Sequence, residues 1–181
     1  MRLQTRVGVI TGLLASCAMC VYAASPKHPV GAPPSDNGVI GAPDAEALFH
    51  SSNPLYEKNK QAAYHIMKEL LECHHWEMAD KWIDERYLQH NPQASSGREA
   101  VIKFFTQVLK QQPKECPEKL TTKIVAVIAD GDFVTVMTPR EFDDPTAPGK
   151  KYSTTWFDTW RFVDGKADEH WDPATKPAPA K

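Results

Sequence analysis

The run Trp156-Phe157-Asp158-Thr159-Trp160-Arg161-Phe162-Val163-Asp164-Gly165-Lys166-Ala167-Asp168-Glu169-His170-Trp171-Asp172 constrains this chain more than any other stretch. Aromatic and β-branched residues suit a pleated sheet, and Asp164-Gly165 tolerates the positive φ of a tight turn, so the run predicts a β-hairpin. Register decides what its two faces carry, because a slip of one residue moves every side chain to the opposite face. A two-residue loop pairs Val163 with Lys166, sets Asp158 opposite Trp171, and allows an Arg161–Asp168 salt pair. A three-residue loop, with Gly165 in a left-handed bulge position, pairs Val163 with Ala167, Arg161 with Glu169, Trp160 with His170 and Asp158 with Asp172. The bulged register is preferred. It gathers Trp156, Asp158, Trp160, Phe162, His170 and Asp172 on one face and leaves an Arg161–Glu169 cross-strand ion pair on the other. Two aspartates and a histidine among tryptophans read as the wall of a ligand pocket.

The N-terminus reads as a targeting segment. Arg2 and Arg6 precede an apolar stretch from Val7 to Val21, and Val21-Tyr22-Ala23 offers a cleavage site. A signal peptide over residues 1–23 and export to the periplasm or beyond are expected. The apolar run is short for a bilayer, so no stable membrane span is expected. Leu14-Ala15-Ser16-Cys17 supplies the alternative, a lipoprotein anchored through Cys17. The chain carries a formal charge of −2, and loss of Arg2 and Arg6 makes it two units more negative. That balance gives no basic footprint for nucleic acid. Of four cysteines, Cys73 and Cys116 lie outside the leader. They could form a disulfide in an oxidising compartment, but the sequence leaves their separation open.

Residues 24–52 are rich in Pro, Gly, Ser and Ala and predict a flexible leader, and residues 173–181 predict a disordered tail of the same character. Residues 53–172 then form one domain of ordinary size. Asn53-Pro54 opens a first helix running to about Cys73. Trp76, Ala79 and Ile83 suggest a second helix over Trp76 to Asp84. Ser96 and Glu99 read as a capping box for a third helix that ends near Gln111. The period then changes: Leu120 to Ala129 and Phe133 to Phe142 flank Asp130-Gly131 as strands, followed by a polar loop and the last hairpin. Three helices before four strands argue an α+β fold.

Several segments together resemble the SnoaL-like polyketide cyclase branch of the NTF2-like superfamily. They are Tyr87-Leu88-Gln89-His90-Asn91-Pro92, Gly97-Arg98-Glu99-Ala100 with Phe104-Phe105, Asp130-Gly131-Asp132-Phe133-Val134, and the hairpin with Glu169-His170-Trp171-Asp172. The resemblance covers nearly the whole domain. It implies an NTF2-like cone-shaped barrel, with three N-terminal helices packed on a strongly curved antiparallel sheet that encloses a pocket, and frequent homodimers. The family's characterised cyclases close rings by an intramolecular aldol step without a cofactor, using an aspartate as general acid/base. That aspartate falls on Asp172. A pocket histidine of the cyclases falls on Asp158, a departure from their pattern. A further pocket residue falls near Gln89, His90 and Asn91.

The residues suit such chemistry. Enolisation needs a base for the proton next to a carbonyl and donors for the developing oxyanion. Two facing carboxylates in an apolar pocket cannot both ionise cheaply, so one is expected to hold a proton. Asp172 is the candidate acid/base, assisted by Asp158 and His170. His90, Asn91, Gln89, Trp156 and Trp160 are the candidate substrate-binding residues. Simpler readings stand beside these: a turn at His90-Asn91-Pro92, tryptophans as plain core, Asp172 as a strand cap. His74-His75 with Glu77 and Asp80 lacks metal-ligand spacing on a helix, and no spacing rule groups His90, His170 and Asp172. No metal or other cofactor is expected. The expected function is an exported, cofactor-independent acid/base enzyme performing an aldol-type cyclisation, isomerisation or dehydration on a small apolar carbonyl compound. The alternatives are a non-catalytic small-ligand binding protein of the same fold, and a self-associating scaffold that dimerises through its open sheet face.

Overall fold

Asn53 opens the first long helix as its sequence requires: its side chain accepts from the backbone N–H groups of Leu55 (3.0 Å) and Tyr56 (3.3 Å), and Pro54 follows. The computed structural model describes residues 38–176. Helix α1 (Pro54–His65) continues as wider π-type turns over Ile66–Glu72. There the Cys73 N–H reaches five residues back to the Lys68 carbonyl (2.9 Å). A 3-10 turn (Trp76–Met78) leads into the short α2 (Ala79–Trp82). Strand β1 (Ile83–Gln89) follows without a loop. Helix α3 (Arg98–Lys103) again widens into π-type turns (Phe104–Val108). The remaining strands are β2 (Ala126–Asp130), β3 (Phe133–Asp143), β4 (Lys151–Val163) and β5 (Lys166–Trp171).

The α+β architecture and the NTF2-like layering match expectation, with the helices packed on one face of a five-stranded sheet. Four details differ. The sheet order is β1-β5-β4-β3-β2, and β1 runs parallel to β5, so the sheet is mixed rather than antiparallel. Its two edges stay open, so it curves without closing into a barrel. The helix expected to reach Asp84 ends at Trp82, because Ile83 to Gln89 pair with the last strand and tertiary pairing overrides a short helical period. The capping box at Ser96 does not form. Ser96 Oγ accepts instead from the Gln89 N–H (3.0 Å), and Gly97 caps α3 at φ +99°, a left-handed geometry that glycine adopts freely.

Residues 38–52, expected to lie in a flexible leader, are part of the folded body. A 3-10 turn (Glu46–Phe49) buries Phe49 completely, and the Ala42 N–H donates to the Ile124 carbonyl (2.7 Å). One aromatic residue in a Pro/Gly-rich stretch carries that anchoring. The core joins Phe49 to Ile66, Leu70, Val134, Val136 and Phe162. Cys73 and Cys116 form a disulfide that ties the end of the first helix to the loop after α3. The expected signal peptide with Cys17 lies outside the described residues, as does the end of the tail.

The hairpin combines both registers weighed from sequence. Asp164 (φ +53°) and Gly165 (φ +84°) form a two-residue turn, and Val163 pairs with Lys166. The ladder then shifts by one residue, so that Arg161 faces Glu169 and Trp160 faces His170. The bulge falls at Asp168, not at Gly165. A bulge sets two consecutive residues against one partner. Both Asp168 (2.7 Å) and Glu169 (2.9 Å) therefore reach the Arg161 guanidinium. Beyond Met137, β3 has no β2 partner, which leaves its edge free to accommodate Pro139.

Candidate functional site

The inward residues of the hairpin meet the C-terminal end of β1 at a cavity of about 290 Å³. Its apolar walls include Ile66, Trp76, Val101 and Phe105. Ile66 and Phe105 lie in the two π-type segments, where wider turns carry the helices around the hollow. Gln89, Asn91, Trp156, Asp158, Trp160, His170 and Asp172 also line it, so seven of the eight sequence candidates come together. His90 does not. It is exposed, its ring stacks on Trp171 (4.8 Å), and its Nε2 lies 2.8 Å from Glu169 on the outer face. The reason is strand alternation: with Gln89 beside His170 inside, His90 must point away.

Polar groups in the cavity are connected in a definite order. Gln89 Oε1 accepts from the Asn91 backbone N–H (3.1 Å), which can only donate, so the amide orientation is fixed. The same oxygen faces His170 Nδ1 at 2.8 Å, so Nδ1 carries a hydrogen. His170 Nε2 then faces Asp158 Oδ1 at 3.2 Å. Trp156 Nε1 donates to that carboxylate as well (3.3 Å). Asn91 is oriented in the same way: its Oδ1 accepts from the Gln93 N–H (2.8 Å), which turns Nδ2 toward Asp172 Oδ2 (2.7 Å). The Ala174 N–H supplies the other oxygen of Asp172 (2.9 Å). Both partners of Asp172 are donors. The side chains of His170 and Asp158 are only 8% and 14% exposed.

The polar atoms of Asp158, His170 and Asp172 lie within 4.8 Å of one another. Among the described residues they form the cluster close enough to share a metal ion; His90, weighed with His170 and Asp172 as a ligand set, is on the wrong side of the strand. Each of the three already has the protein partners named above.

Sequence reasoning missed two residues. Tyr87 is buried, and its hydroxyl accepts from Trp160 Nε1 (3.1 Å), leaving its own proton free to donate. Burial pushes the phenol far above its ordinary value, and the charges of Asp158 and Asp172 push it further, so it stays neutral. Its inward direction is hidden as long as the start of β1 reads as the end of a helix. Arg140 lies at the cavity rim with its guanidinium over the Trp156 ring at 3.7 Å. Nothing in the local sequence of β3 distinguishes it from a solvated charge.

Residues 66–170 match the SnoaL-like domain, and the chain belongs to that family. None of the curated proteins matches it. Among solved structures it is similar to a candidate polyketide cyclase of Acidithiobacillus ferrooxidans, at 20% identity and a TM-score of 0.49, covering 68% of this chain and 89% of that one. A candidate SnoaL-like polyketide cyclase of Jannaschia sp. CCS1 aligns at 16% identity and a TM-score of 0.49, over 68% and 91%. An LEH-like epoxide hydrolase of M. tuberculosis aligns at 14% identity and a TM-score of 0.46, over 64% and 80%.

Proposed function

We propose that this protein is a cofactor-independent acid/base enzyme acting on a small, largely apolar carbonyl compound. The carrying observation is the juxtaposition of Asp172, supplied only with donors, and the hydrogen-bonded His170–Asp158 pair on one wall of a partly open, mainly apolar cavity. In the first step Asp172 takes the proton next to the carbonyl, and the electron pair moves onto the carbonyl oxygen. His170 Nε2, with the Tyr87 hydroxyl, donates to that oxygen. The enol carbon then attacks a second carbonyl of the same molecule, and Asp172 returns its proton to the new alkoxide. Return of that proton to a different carbon of the enol system gives isomerisation, and its transfer to a β-hydroxyl, whose C–O bond breaks to release water as the alkene forms, gives dehydration. Asn91 and Gln89 hold the two ends of this apparatus in place. A volume near 290 Å³ suits a small guest.

The same reading places the protein in the periplasm or outside the cell, and the Cys73–Cys116 disulfide supports an oxidising compartment. A homodimer through the outer sheet face is part of the proposal, supported by Ile128, Phe133, Phe157 and Val163, which share that face and are exposed. Sedimentation of the wild type against Phe157→Glu tests it.

Deuterium exchange tests the chemistry without knowledge of the natural substrate. In D₂O, wild-type protein is expected to accelerate exchange of the protons next to the carbonyl of small aryl ketones, read by proton NMR. Asp172→Asn should abolish the acceleration, a loss of about 10²-fold or more. Ligand binding without any exchange would instead favour a non-catalytic binding protein.

A further inference from the structure

We propose that Arg140, with Lys123 on the same hollow, is an anion-binding arm of the chamber, so that the substrate bears a carboxylate as well as an apolar carbonyl body. The inference deepens the acid/base reading and rests on it. A second hollow of about 450 Å³ adjoins the first, and Leu71, Phe105, Arg140 and Asp158 wall both. Lys123, Gln111, Thr122 and Thr138 extend its lining. A ligand reaching past Asp158 therefore leaves an aromatic chamber and enters a space with two cations, hydroxyls and an amide.

The two cations are uncommitted. Arg86 and Arg161 are neutralised by Asp168 and Glu169, whereas Arg140 and Lys123 have no carboxylate partner among the described residues. Arg140 is nonetheless held in place, because its guanidinium lies over the Trp156 indole. Stacking uses the face of the guanidinium and leaves its N–H edge available, the geometry that grips a carboxylate bidentately. The same indole donates through Nε1 to Asp158 (3.3 Å). One side chain thus connects the anion arm to the proton-transfer groups. Position on the strand allows this: Arg140 pairs with Thr154 where β3 has passed the end of β2, at the open rim of the sheet.

Charge is graded along the combined hollow: Asp172 lines only the first chamber, Lys123 only the second, and Asp158 and Arg140 stand at the junction of the two. A guest with one anionic end is then bound in a single orientation, carboxylate outward and carbonyl toward His170. A neutral guest of the same shape has no such preference. Arg140 acts here as a specificity-determining residue.

Isothermal titration calorimetry with 4-oxo-4-phenylbutanoate and its methyl ester tests the arm on wild type, Arg140→Gln and Lys123→Gln. The acid should bind wild type roughly tenfold tighter than the ester, a margin that added salt reduces. Arg140→Gln should bring the acid down to the ester's affinity and leave the ester unchanged; Lys123→Gln should remove part of the margin. Equal affinities in wild type, or a preference that survives Arg140→Gln, would overturn the anion arm while the chamber reading stands, since the ester still binds. Failure of both compounds to bind would overturn the two together.

Discussion

The β4–β5 ribbon carries a polar cluster on each face, and the two are built to opposite rules. Outside, Asp168 accepts from Arg161 at 2.9 and 2.7 Å and from Arg86 at 2.6 Å, and Glu169 pairs with Arg161 and His90. Both acids there meet a cation. Inside, Asp158 and Asp172 meet an amide, an indole, a backbone N–H and one imidazole, with no guanidinium or ammonium at bonding distance among the described residues. The outer arrangement neutralises charge and holds β1 against the hairpin. The inner one leaves its acids without a cationic partner and facing the space a guest would fill. Similar residue types, on opposite sides of one pleated ribbon, are thus assigned to stability on one side and to chemistry on the other.

Paired substitutions sharpen this contrast. The largest effect is expected at Asp172: the Asn variant should lose about 10²-fold or more in exchange rate while its thermal midpoint stays within about 3 °C of wild type. Asp168→Asn should do the reverse, costing about 2 kcal/mol in urea unfolding and leaving ligand affinity intact, because it strands the Arg161 and Arg86 donors. Loss of catalysis in the outer variant with full stability would break the distinction. The effect at Asp168 should also depend on pH. The hydrogen bond from Arg161 holds this carboxyl below its ordinary value, with the Arg161 and Arg86 charges adding and burial opposing. A depressed folded-state value means the stabilisation is complete above the unfolded carboxylate range, near ~4, and is lost as pH falls through the folded-state value. The stability gap between wild type and Asp168→Asn should therefore be widest near neutrality and narrow in acid. The smallest effect is expected at His90. Its Ala variant loses an exposed stack and a hydrogen bond to Glu169, about 0.5 kcal/mol, with no change in binding.

Much of this division was legible in the sequence. Alternation along Trp156 to Asp172 assigned Asp158, Trp160, His170 and Asp172 to one face, and the opposed charges of Arg161 and Glu169 marked the other. The position of the kink was not legible. Asp-Gly accepts either loop, and only the three-dimensional demand that Asp168 meet both Arg86 and Arg161 moves the bulge away from Gly165 and onto Asp168 itself. Strand β1 was hidden for a related reason. Ile83 to Gln89 contains two acids and an arginine and lacks clean alternation, and its identity as a strand comes from its parallel partner β5, far along the chain. With β1 misread, the inward aim of Tyr87 and the outward aim of His90 could not be foreseen. Phe49 shows the limit of composition: a single aromatic in a Pro/Gly-rich segment orders its neighbours by filling the core.

The central claim is that the inner cluster, and not the outer one, receives a carbonyl compound. A crystal structure of the wild type soaked with 4-oxo-4-phenylbutanoate tests it most directly. The account predicts the ketone oxygen within hydrogen-bond reach of His170 Nε2 or the Tyr87 hydroxyl, and the adjacent CH₂ against Asp172. A ligand lodged on the outer face, or a chamber left without ligand at saturating concentration, would contradict it.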